Sequence, residues 1–115
     1  MNVSSSRSRA PRFSQARLDE LVEEATTDAY GDSEQAVGFY TMMENDLATP
    51  FATQVLGVEV TVERVDMTDA DEIVAVCKRG TKRQKIPILD LPLPSPPPKG
   101  AEWIAAYRHW RRGFS

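Results

Sequence analysis

Cysteine and histidine each occur once in these 115 residues, as Cys77 and His109, and that scarcity removes a good deal of chemistry. One cysteine cannot close an internal disulfide, and the pair cannot supply the ligand spacing of a zinc site. A nucleophile–base pairing would have to run through His109, which sits among Arg108, Arg111 and Arg112, where an exposed surface role is expected. Cys77 ends the apolar run Ile73–Cys77 and is expected to be buried and inert. Gly-rich phosphate loops are missing as well, so the chain is not expected to be an enzyme. No stretch approaches the ~20 apolar residues of a membrane-spanning helix. The N-terminal MNVSSSRSRAPRFSQ has no apolar segment of the secretory kind. Its Arg/Ser content loosely resembles a transit peptide, but a flexible tail fits it better, and the free thiol suits a reducing, cytoplasmic setting.

What the chain does have is charge sorted by position. Between Ala16 and Cys77 stand fifteen Asp or Glu residues against Arg17 and Arg64; from Lys78 to Ser115 nine Lys or Arg face Asp90 and Glu102. The net charge of -3 therefore hides an acidic body and a basic end. Crowded carboxylates repel by about 1 kcal/mol per pair at ~4 Å in water. Either a cation relieves that crowding or the groups simply stay solvated.

A chain of this length makes one domain. Residues 1–14 read as a disordered tail and 15–115 as a single α+β domain. Leu18, Leu21, Val22, Ala25 and Ala29 repeat at helical spacing, with Asp19, Glu20, Glu23 and Glu24 on the outer face. Gly31 supplies a plausible stop. Asp32 then caps a second helix, with Gln35 reaching back as in a capping box. Val37, Tyr40, Met43 and Leu47 continue the helical period, so an N-terminal helix pair is expected over 16–48. Beyond Pro50 the period changes. Val58, Val60 and Val62 alternate with polar residues, Ile73–Cys77 is continuously apolar, and Arg79-Gly80-Thr81-Lys82 reads as a tight hairpin. A small antiparallel sheet over 51–90, folded as an SH3-like open barrel, follows. A Pro-rich strap over 91–100 leads into a C-terminal helix over 101–114, where Trp103, Tyr107, Trp110 and Phe114 form an aromatic stripe.

Two acidic groups could hold a hard cation, which takes six to eight oxygens from carboxylates, carbonyls and water. Asp28, Asp32 and Glu34 surround Tyr30 and Gly31 at the helix link; Asp69, Asp71 and Glu72 crowd the connection after Asp66. Neither carries the EF-hand pattern: Asp28 is followed by Ala29, Tyr30 and Gly31 in the first, and no glycine stands where the loop needs one in the second. For the first group the plain alternative is a helix cap with a solvated end, and for the second, Asx-turns explain one or two acids. Glu44, Asn45 and Asp46 form a third group that opposes the dipole of the helix they end. On the basic side, Lys78, Arg79, Lys82, Arg83 and Lys85 could grip RNA phosphates or an acidic protein partner. They could equally pair with the chain's own acids. The pI of about 5.1 lies well below that of a typical nucleic-acid binder.

The runs Asp28-Ala-Tyr-Gly-Asp-Ser-Glu-Gln-Ala-Val-Gly-Phe-Tyr40, Gly57-Val-Glu-Val-Thr-Val62 and Ile86-Pro-Ile-Leu-Asp-Leu-Pro-Leu93 resemble a bacterial non-EF-hand calcium-binding family. It is typified by the cyanobacterial protein linked to heterocyst differentiation. The likeness spans roughly Leu18 to Trp110. It implies an acidic cytosolic protein that binds Ca²⁺ reversibly through surface carboxylates, as a buffer or signalling protein. On the acidic clusters themselves, Asp28, Asp32 and Glu34 are expected at one site and Asp69, Asp71 and Glu72 at a second, with a protein as a further partner. The competing expectation is an RNA- or protein-binding module built on the basic hairpin.

Overall fold

Ser14 caps the first helix, α1 (Gln15–Ala25): its Oγ accepts the Arg17 N–H at 3.1 Å. The computed structural model describes residues 13–113. Most of the expected tail, residues 1–12, and Phe114 of the aromatic stripe lie outside the described residues. Helix α1 buries Leu21, Val22 and Ala25 and stops at Thr26, whose hydroxyl turns back to the Val22 carbonyl. Gly31 is thus not the stop of the first helix. It is the N-cap of α2 (Asp32–Asp46), which buries Ala36, Phe39 and Met43.

Four strands follow as a meander: β1 (Phe51–Val55), β2 (Val58–Met67), β3 (Ile73–Arg79) and β4 (Lys82–Pro87). They lie in the order β1-β2-β3-β4, all antiparallel, with β1 and β4 at the two edges. The α+β arrangement and the open antiparallel sheet expected from the sequence are both present. Strand β2 is longer than its clean alternation suggested, because the register shifts between Val62 and Arg64. One extra residue there moves the inward set from Val58, Val60 and Val62 to Val65 and Met67. Hence Val62 and Val65 are both buried while Arg64 points outward.

All five residues from Ile73 to Cys77 are buried, for two different reasons. Ile73, Ala75 and Cys77 face the helices. On the outer face the register sets Arg64 and Lys85 beside Val76, and Asp66 and Pro87 beside Val74. The aliphatic stems of Arg64 and Lys85 can shield Val76, and the Pro87 ring Val74, from water.

A 3₁₀ turn (Ile88–Asp90) and the Pro-rich strap lead to α3 (Glu102–Arg111). The strap is tied at both ends: Thr53 Oγ1 donates to the Pro92 carbonyl at 2.7 Å, and Ala48 N–H to the Lys99 carbonyl at 2.8 Å. Gly100, at φ +91°, passes so close to Asp46 and Leu47 that a Cβ would strike their backbone. Helix α3 inserts Trp103, Ile104, Ala106 and Tyr107 into the core. Phe39, Tyr107 and Trp110 form an aromatic cluster with centroids 5.3–5.9 Å apart. The described part of the stripe, Trp103, Tyr107 and Trp110, is therefore a packing face.

Candidate functional site

The link between α1 and α2 is organised by Glu34. Its Oε1 accepts the Tyr30 N–H at 2.9 Å, closing the link from the first turn of α2. Asp32, expected as the cap, is instead the first helical residue, and Gly31 makes no side-chain cap. Gln35 does not complete a capping box; its Nε2 reaches the Ala29 carbonyl at 3.4 Å. Asp28 sits in the left-handed region at φ 62°, a conformation Asp tolerates in turns. Among the described residues, no hydrogen bond or ion pair engages the Asp28 or Asp32 carboxylate, whereas that of Glu34 is committed to the backbone.

The turn joining β2 to β3 is held by a hydroxyl, not by its acids. Thr68 Oγ1 accepts the Ala70 and Glu72 N–H groups at 3.2 and 3.1 Å. Backbone bonds Thr68 N–H to Glu72 O and Asp71 N–H to Thr68 O, at 2.9 and 3.0 Å, close the loop. Asx-turns are not what keeps the acids here. Asp69, Asp71 and Glu72 are left with carboxylates that the turn does not use, and Asp71 stands at φ 62°.

These two segments, far apart in the chain, share a cleft of about 630 Å³. Asp32 and Ser33 line one side, Ala70 and Asp71 another, and Gln35, Trp110, Arg111 and Gly113 complete the wall. Trp110 Nε1 donates to Gln35 Oε1 at 2.9 Å, which pins the end of α3 to the start of α2 and fixes the back of the cleft. Arg111 Nη1 reaches the Tyr107 hydroxyl at 3.4 Å, and its guanidinium lies 5.9 Å from that ring's centroid. The two acidic groups read separately from the sequence thus each place one residue, Asp32 and Asp71, on the lining of a single concavity. Asp28, Glu34, Asp69 and Glu72 do not line it. Among the described residues, no three Asp, Glu, His or Cys side chains converge closely enough to hold a metal ion. Gln35, Thr68, Trp110 and Arg111 were not singled out from sequence as shaping a site. The one available signal was Thr68, a hydroxyl set between acids two residues before and one after it.

Elsewhere the charges find ordinary partners. Asp46, at the unfavourable end of α2, accepts the Trp103 Nε1–H at 2.8 Å, and Glu44 accepts the Tyr40 hydroxyl at 3.1 Å. Burial first, and that bond second, push the Tyr40 phenol up from its ordinary value. Two of the five basic hairpin residues are bound within the sheet: Arg83 Nε to Glu63 at 2.8 Å and Lys85 Nζ to Asp66 at 3.5 Å. The Arg83 hydrogen bond holds the Glu63 carboxyl low. Asp66 is held low chiefly by the Met67 N–H, then by Lys85. His109 is not an open surface group: half-buried, its Nε2 meets Asp19 Oδ1 at 2.8 Å. Cys77 is buried as expected, and burial raises its thiol.

The chain is thus a small α+β protein in which the start of α2 and the β2–β3 turn each bring one aspartate to the lining of an open cleft. The Calci_bind_CcbP family, described as calcium binding, matches residues 19–111, and the chain belongs to that family. Ca²⁺ is accordingly the ion it implies. No curated protein and no solved structure matches the chain. No helix among the described residues is long and apolar enough to cross a membrane.

Proposed function

We propose that this protein binds Ca²⁺ reversibly in the cleft between α2 and the β2–β3 turn, with no catalytic step. The observation that supports this most is that Asp32 and Asp71 line one concavity, and among the described residues no hydrogen bond or ion pair engages either side chain. Hard oxygen donors of this kind suit Ca²⁺, and backbone carbonyls and water supply the remaining ligands of a six- to eight-oxygen shell. Asp28, Asp69 and Glu72 stand in the adjoining exposed turns, from which they raise the negative potential and join the shell as the turns close. Glu34 acts as a positioning group, because its carboxylate already fixes the Tyr30 N–H. Arg111, exposed on the cleft wall and held toward Tyr107, adds a positive charge that opposes the divalent ion.

Since no compact ligand cage is present among the described residues, binding has to draw two turns together. That makes the ion readable as a change of shape and suits a signalling role as well as buffering, in a reducing cytoplasm where Cys77 stays a thiol. Calorimetric titration with Ca²⁺ and Mg²⁺, paired with thermal melts in each ion and in chelator, tests the proposal. A Ca²⁺-specific rise in melting temperature with one ion bound per chain is expected. Equal effects of both ions, or no heat at millimolar Ca²⁺, would overturn it.

A further inference from the structure

The inward face of the sheet continues past the helices that cover it. Where the β1–β2 and β3–β4 hairpins project, Val55, Val58, Val60 and Ile86 line an uncovered trough of about 770 Å³. Leu56 stands at its lip, 97% exposed. It is also in the left-handed region, at φ 53°, a conformation that suits Asn or Gly in a two-residue hairpin and not Leu. A side chain placed against both backbone preference and hydration points to a contact that compensates for both. Arg79 and Lys82 form the other lip. They pair across the β3–β4 register on the same face as Cys77, and among the described residues they make no ion pair. Shielding of the β4 edge does not require them, because Arg83 and Lys85 already place charge there.

We infer that this trough is a docking site for an acidic partner-protein segment bearing an aliphatic anchor, which packs on Val58 and Val60 against Leu56 while its carboxylates meet Arg79 and Lys82. Charge complementarity selects this occupant. The chain's own N-terminal segment carries Arg7, Arg9 and Arg12 and is repelled by the same cations. An isologous contact with a second copy would bring like-charged lips together. Single-stranded RNA lacks an aromatic platform here, since none of the lining residues is aromatic.

NMR titration of the full-length ¹⁵N-labelled protein tests this with peptides of about a dozen residues in which Leu or Ile anchors are flanked by Asp and Glu. Matched sets replace the acids by Lys or the anchors by Ala. Shift changes confined to the Val55–Val60 and Arg79–Ile86 stretches are expected with the acidic anchored set alone. Leu56→Asn and Lys82→Glu should each weaken that binding at least about tenfold, with the fold and the Ca²⁺ titration unchanged. The inference is overturned if no acidic anchored peptide binds, if the Lys set binds equally well, or if Leu56→Asn changes nothing. It is likewise overturned if the same variants abolish binding to phosphatidylserine vesicles or to single-stranded RNA in place of the peptides, or if they abolish self-association in sedimentation.

Discussion

Asp32→Asn and Asp71→Asn, made singly and together, decide between one shared ion and two separate ones. Both residues line the same cleft, so each carboxylate acts on the same divalent charge. A unit charge acts on another with about 1 kcal/mol at ~4 Å in water, and a doubly charged ion doubles that. The cleft is open, so the aqueous figure is the appropriate one. About 2 kcal/mol corresponds to a roughly 30-fold loss of affinity, in either single variant. Stoichiometry should stay at one ion per chain, and the double variant should bind no measurable Ca²⁺. Isothermal titration reads both quantities directly. Two independent sites would behave otherwise: each single variant would remove one ion while the other kept its full affinity. That second pattern would refute the shared cleft.

Further outcomes follow from the same geometry. Arg111→Gln should tighten Ca²⁺ binding by up to about tenfold, by removing a positive charge from the cleft wall, as read in the same titration. Saturating wild-type protein at a hundred times its dissociation constant should stabilise it by about 2.7 kcal/mol and raise its melting temperature on the order of 10 °C, the rise being lost in chelator. Glu63 and Asp66 both have folded-state values below their ordinary 4.5 and 3.8. Their contribution is therefore complete above those values and is lost as pH falls through the lower folded ones. Urea midpoints should decline below about pH 4.5, and less so in Glu63→Gln. Gly38→Ala should cost roughly 3 kcal/mol or more in chemical denaturation, because its Cβ would run into the Ala25 backbone carbonyl where the two helices meet. Leu56→Asn should instead gain about 0.5–1 kcal/mol in the same assay, by suiting the left-handed turn.

Helices and strands were legible in the sequence wherever one face had to be apolar. The aromatic stripe of α3 and the burial of β3 could be read that way, whereas in the α2 stripe Met43 and Leu47 are buried but Val37 is exposed, its place inward taken by Ala36 and Phe39. What escaped was local and three-dimensional. Gly31 looks like a stop and is a start, because Thr26 ends α1 with its own hydroxyl and leaves a longer link. The bulge at Glu63 could not be seen in a pattern of alternating valines, since one added residue turns the alternation over without disturbing composition. The candidate site was half legible. Both acidic groups stood out, but nothing in their spacing says that they face one another, for that depends on how the sheet docks on α2. The choice of which acids are already occupied was hidden too. Glu34 and Asp46 are engaged by backbone and indole N–H groups, and only coordinates distinguish them from Asp32 and Asp71.

The two tryptophans occupy very different surroundings. Trp103 is sealed in the core with its indole on Asp46, while Trp110 is half-buried, bonded to Gln35, and forms part of the cleft wall. The second ring therefore acts as a built-in optical probe, whose emission colour and intensity should follow occupancy of the cleft while the first stays constant. Trp103→Phe would leave a single-emitter protein in which cation uptake can be watched on the millisecond scale without any label.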